Sequence, residues 1–122
     1  MPYIFDVQTV IETEAFIRSA RLCGMTDRER EAAISLIAAY PAAGDLIVGS
    51  GGCRKVRIAG RGKGKSGGYR VVTFYADAET PVFLLAVLSK GSDANFSDVQ
   101  VQAMAQAAKR LMESLRRYAG RW

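Results

Sequence analysis

Three β-patterned stretches, residues 53–59, 69–75 and 82–88, follow one another through connections of only nine and six residues. A parallel crossover needs about a dozen residues or more, so consecutive strands this close are expected to pair as an antiparallel meander. Residues 53–59 alternate in type. Cys53, Lys55, Arg57 and Ala59 fall on one face, and Arg54, Val56 and Ile58 on the other. Residues 69–75 are β-branched and aromatic. Residues 82–88 are a continuous apolar run, the mark of a strand in the middle of a sheet.

Helical signals flank these strands. Residues 4–12 are β-branched and aromatic and read as a first strand. Thr13 is placed to cap a helix through Phe16, Ile17 and Ala20, with Gly24 as its stop. Thr26-Asp27-Arg28-Glu29 has capping-box spacing and opens a second helix through Ala33, Ile34, Ile37 and Ala38, which Pro41 ends. The short turn between the two predicts a helical hairpin, and residues 42–52 read as a loop. Ser97-Asp98-Val99-Gln100 is another capping box. It starts a last helix whose apolar positions Val101, Met104, Ala105, Ala108, Leu111, Met112 and Leu115 form one stripe.

The order β-α-α-β-β-β-α predicts an α+β fold. It is a small, antiparallel-rich twisted sheet with an N-terminal helical hairpin and a C-terminal helix, the helices lying against one face. At 122 residues the chain is expected to be one domain, 1–122, with a single core.

Charge is unevenly distributed. Residues 49–75 hold seven basic side chains (Arg54, Lys55, Arg57, Arg61, Lys63, Lys65 and Arg70), no acidic one, and eight of the twelve glycines. Residues 1–48 carry a net −3 and residues 76–122 a net +1, so the chain's +5 is focused in one glycine-rich cationic segment. Focused positive charge points to a polyanionic partner, and nucleic acid is the usual one.

Several chemistries are excluded. The chain has no histidine, which removes Ser-His-Asp and Cys-His nucleophile systems and histidine-containing zinc sites. Cys23 and Cys53 are too few for a disulfide scaffold or a structural zinc, and read as packed thiols. No apolar run reaches the ~20 residues of a membrane span, and the N-terminus lacks signal-peptide character, so a cytoplasmic location is expected. Residues 59–66 come one residue short of a phosphate-binding loop, with Ala59 at the first glycine's place, and residues 62–67 fit the dinucleotide fingerprint. Both motifs require a helix to begin at the loop, whereas a strand follows here.

The segments Gly44-Asp45-Leu46-Ile47, Gly51-Gly52-Cys53-Arg54-Lys55-Val56-Arg57 and Gly62-Lys63-Gly64-Lys65-Ser66-Gly67-Gly68-Tyr69-Arg70-Val71, continued by residues 82–91 and Asn95-Phe96-Ser97, together resemble the RelE/HigB-type toxins of bacterial toxin–antitoxin pairs. The resemblance runs over nearly the whole chain. It implies the family's compact α/β fold and a toxin that cuts mRNA at the ribosomal decoding site, without metal or cofactor. It implies as partners a cognate antitoxin and the ribosome with its mRNA, and operator DNA only through the antitoxin. The wider superfamily also includes ParE-type inhibitors of DNA gyrase. That alternative stays open, as does a non-catalytic nucleic-acid-binding module.

Metal-free RNA cleavage needs a base on the ribose 2′-hydroxyl, positive charge on the phosphorane and an acid for the leaving 5′-oxygen. Lysine and arginine suit the second task directly, and a lysine serves as base when burial or nearby cations lower its pKa. By resemblance, Lys55 and Arg57 match the family's paired basic residues, Arg70 its arginine in a Tyr-Arg motif, and Lys90 its basic residue after the third strand. Lys55 or Arg57 is expected to assist the 2′-hydroxyl, Arg70 the phosphorane, and Lys90 the leaving group. Arg54, Arg61, Lys63 and Lys65 are candidate RNA contacts, with Tyr69 a candidate for stacking on a base. Phe96 stands where some relatives carry a catalytic tyrosine, and core packing is its expected role. Leu88 stands where relatives often have an aromatic residue.

Overall fold

The computed structural model describes residues 7–60, 64–89 and 96–119. Its elements are β1 (Val10–Glu12), α1 (Glu14–Leu22), α2 (Asp27–Ala39), β2 (Asp45–Leu46), β3 (Cys53–Gly60), β4 (Gly64–Phe74), β5 (Val82–Ser89) and α3 (Asp98–Ala119). The strands form one sheet in the order β1-β5-β4-β3-β2. The β2–β3–β4–β5 run is antiparallel, and β1 pairs parallel with β5. The architecture is the α+β arrangement that the element order predicts, and β5 lies inside the sheet as its apolar run requires.

The capping signals act as their chemistry dictates. The Thr13 hydroxyl accepts from the Phe16 N–H at 3.2 Å and donates to the Leu84 carbonyl at 2.7 Å, so one side chain starts α1 and fastens it to β5. Thr26 and Glu29 form a reciprocal capping box at 3.1 and 2.9 Å. Ser97 and Gln100 do the same for α3 at 3.1 and 2.8 Å. Gly24 leaves α1 with φ +72°. An ion pair between Arg30 Nε and Glu12 Oε1 at 3.2 Å ties α2 to β1.

The sheet is covered on both faces, not on one as the sequence reading expects. Phe16, Ala20, Ala33 and Ile37 of α1 and α2 pack against Val56, Ile58, Tyr69, Val71, Leu84 and Val87. On the opposite face, α3 sets Ala108, Met104, Leu111 and Leu115 against Cys53, Val72, Phe74 and Phe83. The reason is visible in β4, where Val71, Val72, Thr73 and Phe74 are buried in succession. A strand buried at every residue must be covered on both sides.

Two boundaries also differ. Strand β1 is confined to Val10–Glu12 among the described residues, so residues 7–9 of the expected first strand are not in the ladder. The stretch 42–52, read as a loop, contains the two-residue strand β2. Gly44 permits that pairing. It has φ +92°, and a Cβ there would collide with the Lys55 carbonyl.

Candidate active site

Strand alternation puts Lys55 and Arg57 on the α3 face of the sheet. The β3–β4 register then sets Arg57 directly opposite Arg70, and Lys55 directly opposite Val72. Residues paired across a ladder share a face, so Lys55, Arg57 and Arg70 form one cationic group on two neighbouring strands. The next strand completes two rows across the sheet. One reads Lys55–Val72–Ala86 and the other Arg57–Arg70–Leu88.

Helix α3 covers only part of this face. At one end Cys53, Val72 and Phe74 are buried beneath it. Toward the β3–β4 hairpin the cover stops, leaving Arg57 exposed and Lys55 and Arg70 half-buried. The residue just before the α3 cap reaches back to the cluster, with Lys55 Nζ 5.9 Å from the centroid of the Phe96 ring, within cation–π range. Like charges directly opposite in a ladder oppose folding. Among the described residues α3 does not extend over this pair, and adjacent guanidinium groups raise the local positive potential, which favours an anion.

The other candidates separate from this group. Arg54 belongs to the opposite side of β3, and its Nη1 donates to the Gly44 carbonyl at 3.4 Å near the β2 edge. Tyr69 pairs with Ile58 and faces α2. Its residue is 8% exposed, and its hydroxyl donates to Glu29 Oε1 at 3.1 Å. Burial first, and then that hydrogen bond, push the Tyr69 hydroxyl above its ordinary pKa. A ring so enclosed presents no face to a base, which corrects the stacking expectation. Arg61, Lys63 and Lys90 lie outside the described residues, and of Lys65, on β4, only the backbone is described.

Cys53 is fully buried, donates its N–H to the Ser50 hydroxyl oxygen at 3.0 Å, and has its thiol pushed up by burial. That environment suits packing and not nucleophilic attack. Among the described residues no three His, Cys, Asp or Glu side chains gather as a metal site, and no described helix is long and apolar enough to cross a membrane.

Sequence reasoning missed two features beside the cluster. Phe96 packs against the α3-side core as expected, but its ring also lies beside Lys55. Its place immediately before the Ser97 cap was the available signal, because a cap fixes where the preceding side chain enters. The groove beside the cluster, lined by Val72, Ala86, Leu88, Phe96 and Met104, has no local motif, since its walls come from three separate elements.

The model of the family described as RelE toxin of the RelE/RelB toxin–antitoxin system matches residues 8–118. Among solved structures, a double arginine-to-alanine mutant of the E. coli toxin RelE in the free state is similar in fold, with a TM-score of 0.54 and 21% sequence identity. The match covers 83% of this chain and 96% of that one.

Proposed function

The chain belongs to the RelE toxin family, the toxin side of a toxin–antitoxin pair, and on that premise we propose that it arrests translation by cutting mRNA on the ribosome. The observation that carries this reading is the Arg57–Arg70 pair with Lys55 two residues along the same face of β3. A phosphodiester in single-stranded RNA is the anion that such a group suits. Its phosphate gains charge as the 2′-oxygen attacks, and guanidinium groups stabilise that extra charge more than the ground state.

The step balances without a cofactor. The 2′-hydroxyl proton leaves to a base as the 2′-oxygen bonds to phosphorus. The bond to the 5′-oxygen breaks, and that oxygen takes a proton from an acid. The products are a 2′,3′-cyclic phosphate and a 5′-hydroxyl. In this scheme Arg70 and Arg57 hold the non-bridging oxygens, Lys55 stands toward the 2′-hydroxyl, and Lys90 serves the leaving group. Arg61, Lys63 and Lys65 contact ribosomal RNA phosphates. The family implies an antitoxin partner that neutralises the toxin, with operator DNA reached only through it.

The test is to induce the toxin in cells and follow translation and DNA synthesis separately. The nuclease reading predicts that protein synthesis stops first and that cut messages accumulate. Arrest of replication with intact messages would instead identify a gyrase inhibitor on the same fold. Salt-sensitive RNA binding without cut products would identify a binding module.

A further inference from the structure

We propose that the groove between α3 and the start of α1 takes an amphipathic helix of the antitoxin, which docks beside α3 and leaves α3 in its seat. The inference needs only the antitoxin partner that the family implies, so it stands apart from the nuclease reading.

The groove follows from how α3 sits. Its core positions Met104, Ala108, Leu111 and Leu115 are set on Cys53, Val72, Phe74 and Phe83. The glycine loop before β3 closes one flank. A Cβ at Gly51 would lie 3.6 Å from Ala108 Cβ, and one at Gly49 would lie 3.3 Å from Val101 Cγ1. The other flank, toward β5 and α1, is left hollow among the described residues. Two hollows of ≈ 260 and ≈ 300 Å³ adjoin there, with Ala15, Leu85 and Ala107 lining both. Each is at or below the small end of the pockets that hold small molecules. Together, from Ala103 to Ser114, they run along three turns of α3, about 17 Å at 1.5 Å per residue. A row of that length suits apolar side chains projecting at i, i+3 or i+4, and i+7 from a docked helix.

The lining and the rim define the occupant. Leu85, Ala103, Ala107 and Leu111 offer only carbon. The Thr13 hydroxyl at the edge is already committed, accepting from the Phe16 N–H and donating to the Leu84 carbonyl. An apolar stripe fits such a wall, and a nucleic-acid strand does not. The rim is cationic. Arg110 lines the groove, and exposed Lys109, Arg116 and Arg117 lie on the same helix, with Glu113 the one acid between Ala103 and Arg117. A helix with acidic residues beside its apolar stripe complements that rim. A second copy of this chain, meeting the same patch across a two-fold axis, would set basic α3 against basic α3.

The antitoxin of the same pair, purified separately, is titrated by calorimetry into the wild-type chain and two variants. Ala15→Trp, at an exposed position that lines both hollows, is expected to weaken binding about 10- to 100-fold. Arg110→Glu is expected to weaken it about 3- to 10-fold and to flatten its salt dependence. Hydrogen exchange on the wild-type complex reads the same surface without a substitution. Slowed exchange at residues 14–16 and 103–114, with α3 at least as protected as in the free chain, is the expected result, and it decides the matter if Ala15→Trp melts early. A folded Ala15→Trp chain with undiminished affinity overturns the inference, as does a complex with no slowing at those residues. Faster exchange along α3 in the complex means that the partner has taken the seat of α3, and overturns it too. A free-chain dimer in sedimentation that Ala15→Trp disperses gives the groove to a second copy, with the same consequence.

Discussion

Arg57 on β3 and Arg70 on β4 face each other directly across an antiparallel ladder. Nothing in the architecture requires two guanidinium groups at that register position, since Val56 and Val71, one step along, fill the equivalent place on the buried face with an ordinary apolar pair. Two juxtaposed guanidinium groups repel each other, and on the proposed reading they hold a phosphate, so the two effects are separable by substitution.

Arg57→Ala should therefore leave stability unchanged or raise it slightly, by about 0.5 kcal/mol or less given the exposure of the side chain, while slowing cleavage. Urea denaturation at low and high salt measures the first effect. The gain should shrink as salt screens the repulsion. A clear loss of stability in this variant would mean that the pair is structural.

Gly68→Ala should destabilise the protein by about 1–3 kcal/mol. A Cβ at Gly68 would run into the Ile58 carbonyl across the ladder, beside the register shift between Ile58 and Gly60. That irregularity follows the Ile58–Tyr69 pair, the next one after Arg57–Arg70, so the variant should lose cleavage as well as stability. Thermal melts alongside cleavage assays measure the two together. Unchanged stability would show that the strands tolerate wider spacing than this geometry implies.

Much of this arrangement was legible in the sequence, and the limits have physical causes. The alternation in residues 53–59 placed Lys55 and Arg57 on one face, and the capping boxes at Thr26 and Ser97 located two helix starts, because both signals are local. The sharing of a face by Arg57 and Arg70 depended on ladder register, which the hairpin and its irregularity set. Arg54 and Tyr69 show the same limit from the other side. Composition grouped them with the cationic segment, yet alternation and register send them to the face that α1 and α2 cover. The two-sided cover was foreshadowed in the sequence by the continuous apolar run of residues 82–88, since a strand covered on one face alternates instead.

Tyr69→Phe tests that placement. Loss of the hydrogen bond to Glu29 should cost about 1 kcal/mol, with cleavage unaffected. The pH dependence has a definite sign. The Tyr69 pKa is raised in the folded state by burial and by Glu29, so the stability it contributes is fully present below the unfolded value of about 10 and is lost as pH rises through the folded value. Wild-type stability should fall above about pH 10 more steeply than that of Tyr69→Phe. Identical alkaline slopes would contradict the buried placement of the hydroxyl.

Salt dependence distinguishes the two faces of β3. Removing a cation that contacts phosphate lowers the slope of log K against log salt by roughly 0.7 for single-stranded RNA. Binding of a single-stranded RNA should show that reduction in Arg57→Ala and Lys55→Ala, and a smaller or absent one in Arg54→Ala. A full reduction in Arg54→Ala would show that RNA also tracks the β2 edge.

Primer extension on a translated message, after induction of either the intact chain or Arg70→Ala, tests the central claim most directly. The account predicts discrete cuts within the reading frame for the intact chain, and a loss of about 100- to 1,000-fold in cleavage for Arg70→Ala, with the variant's fold intact by circular dichroism. Undiminished cutting by a folded Arg70→Ala protein would contradict it.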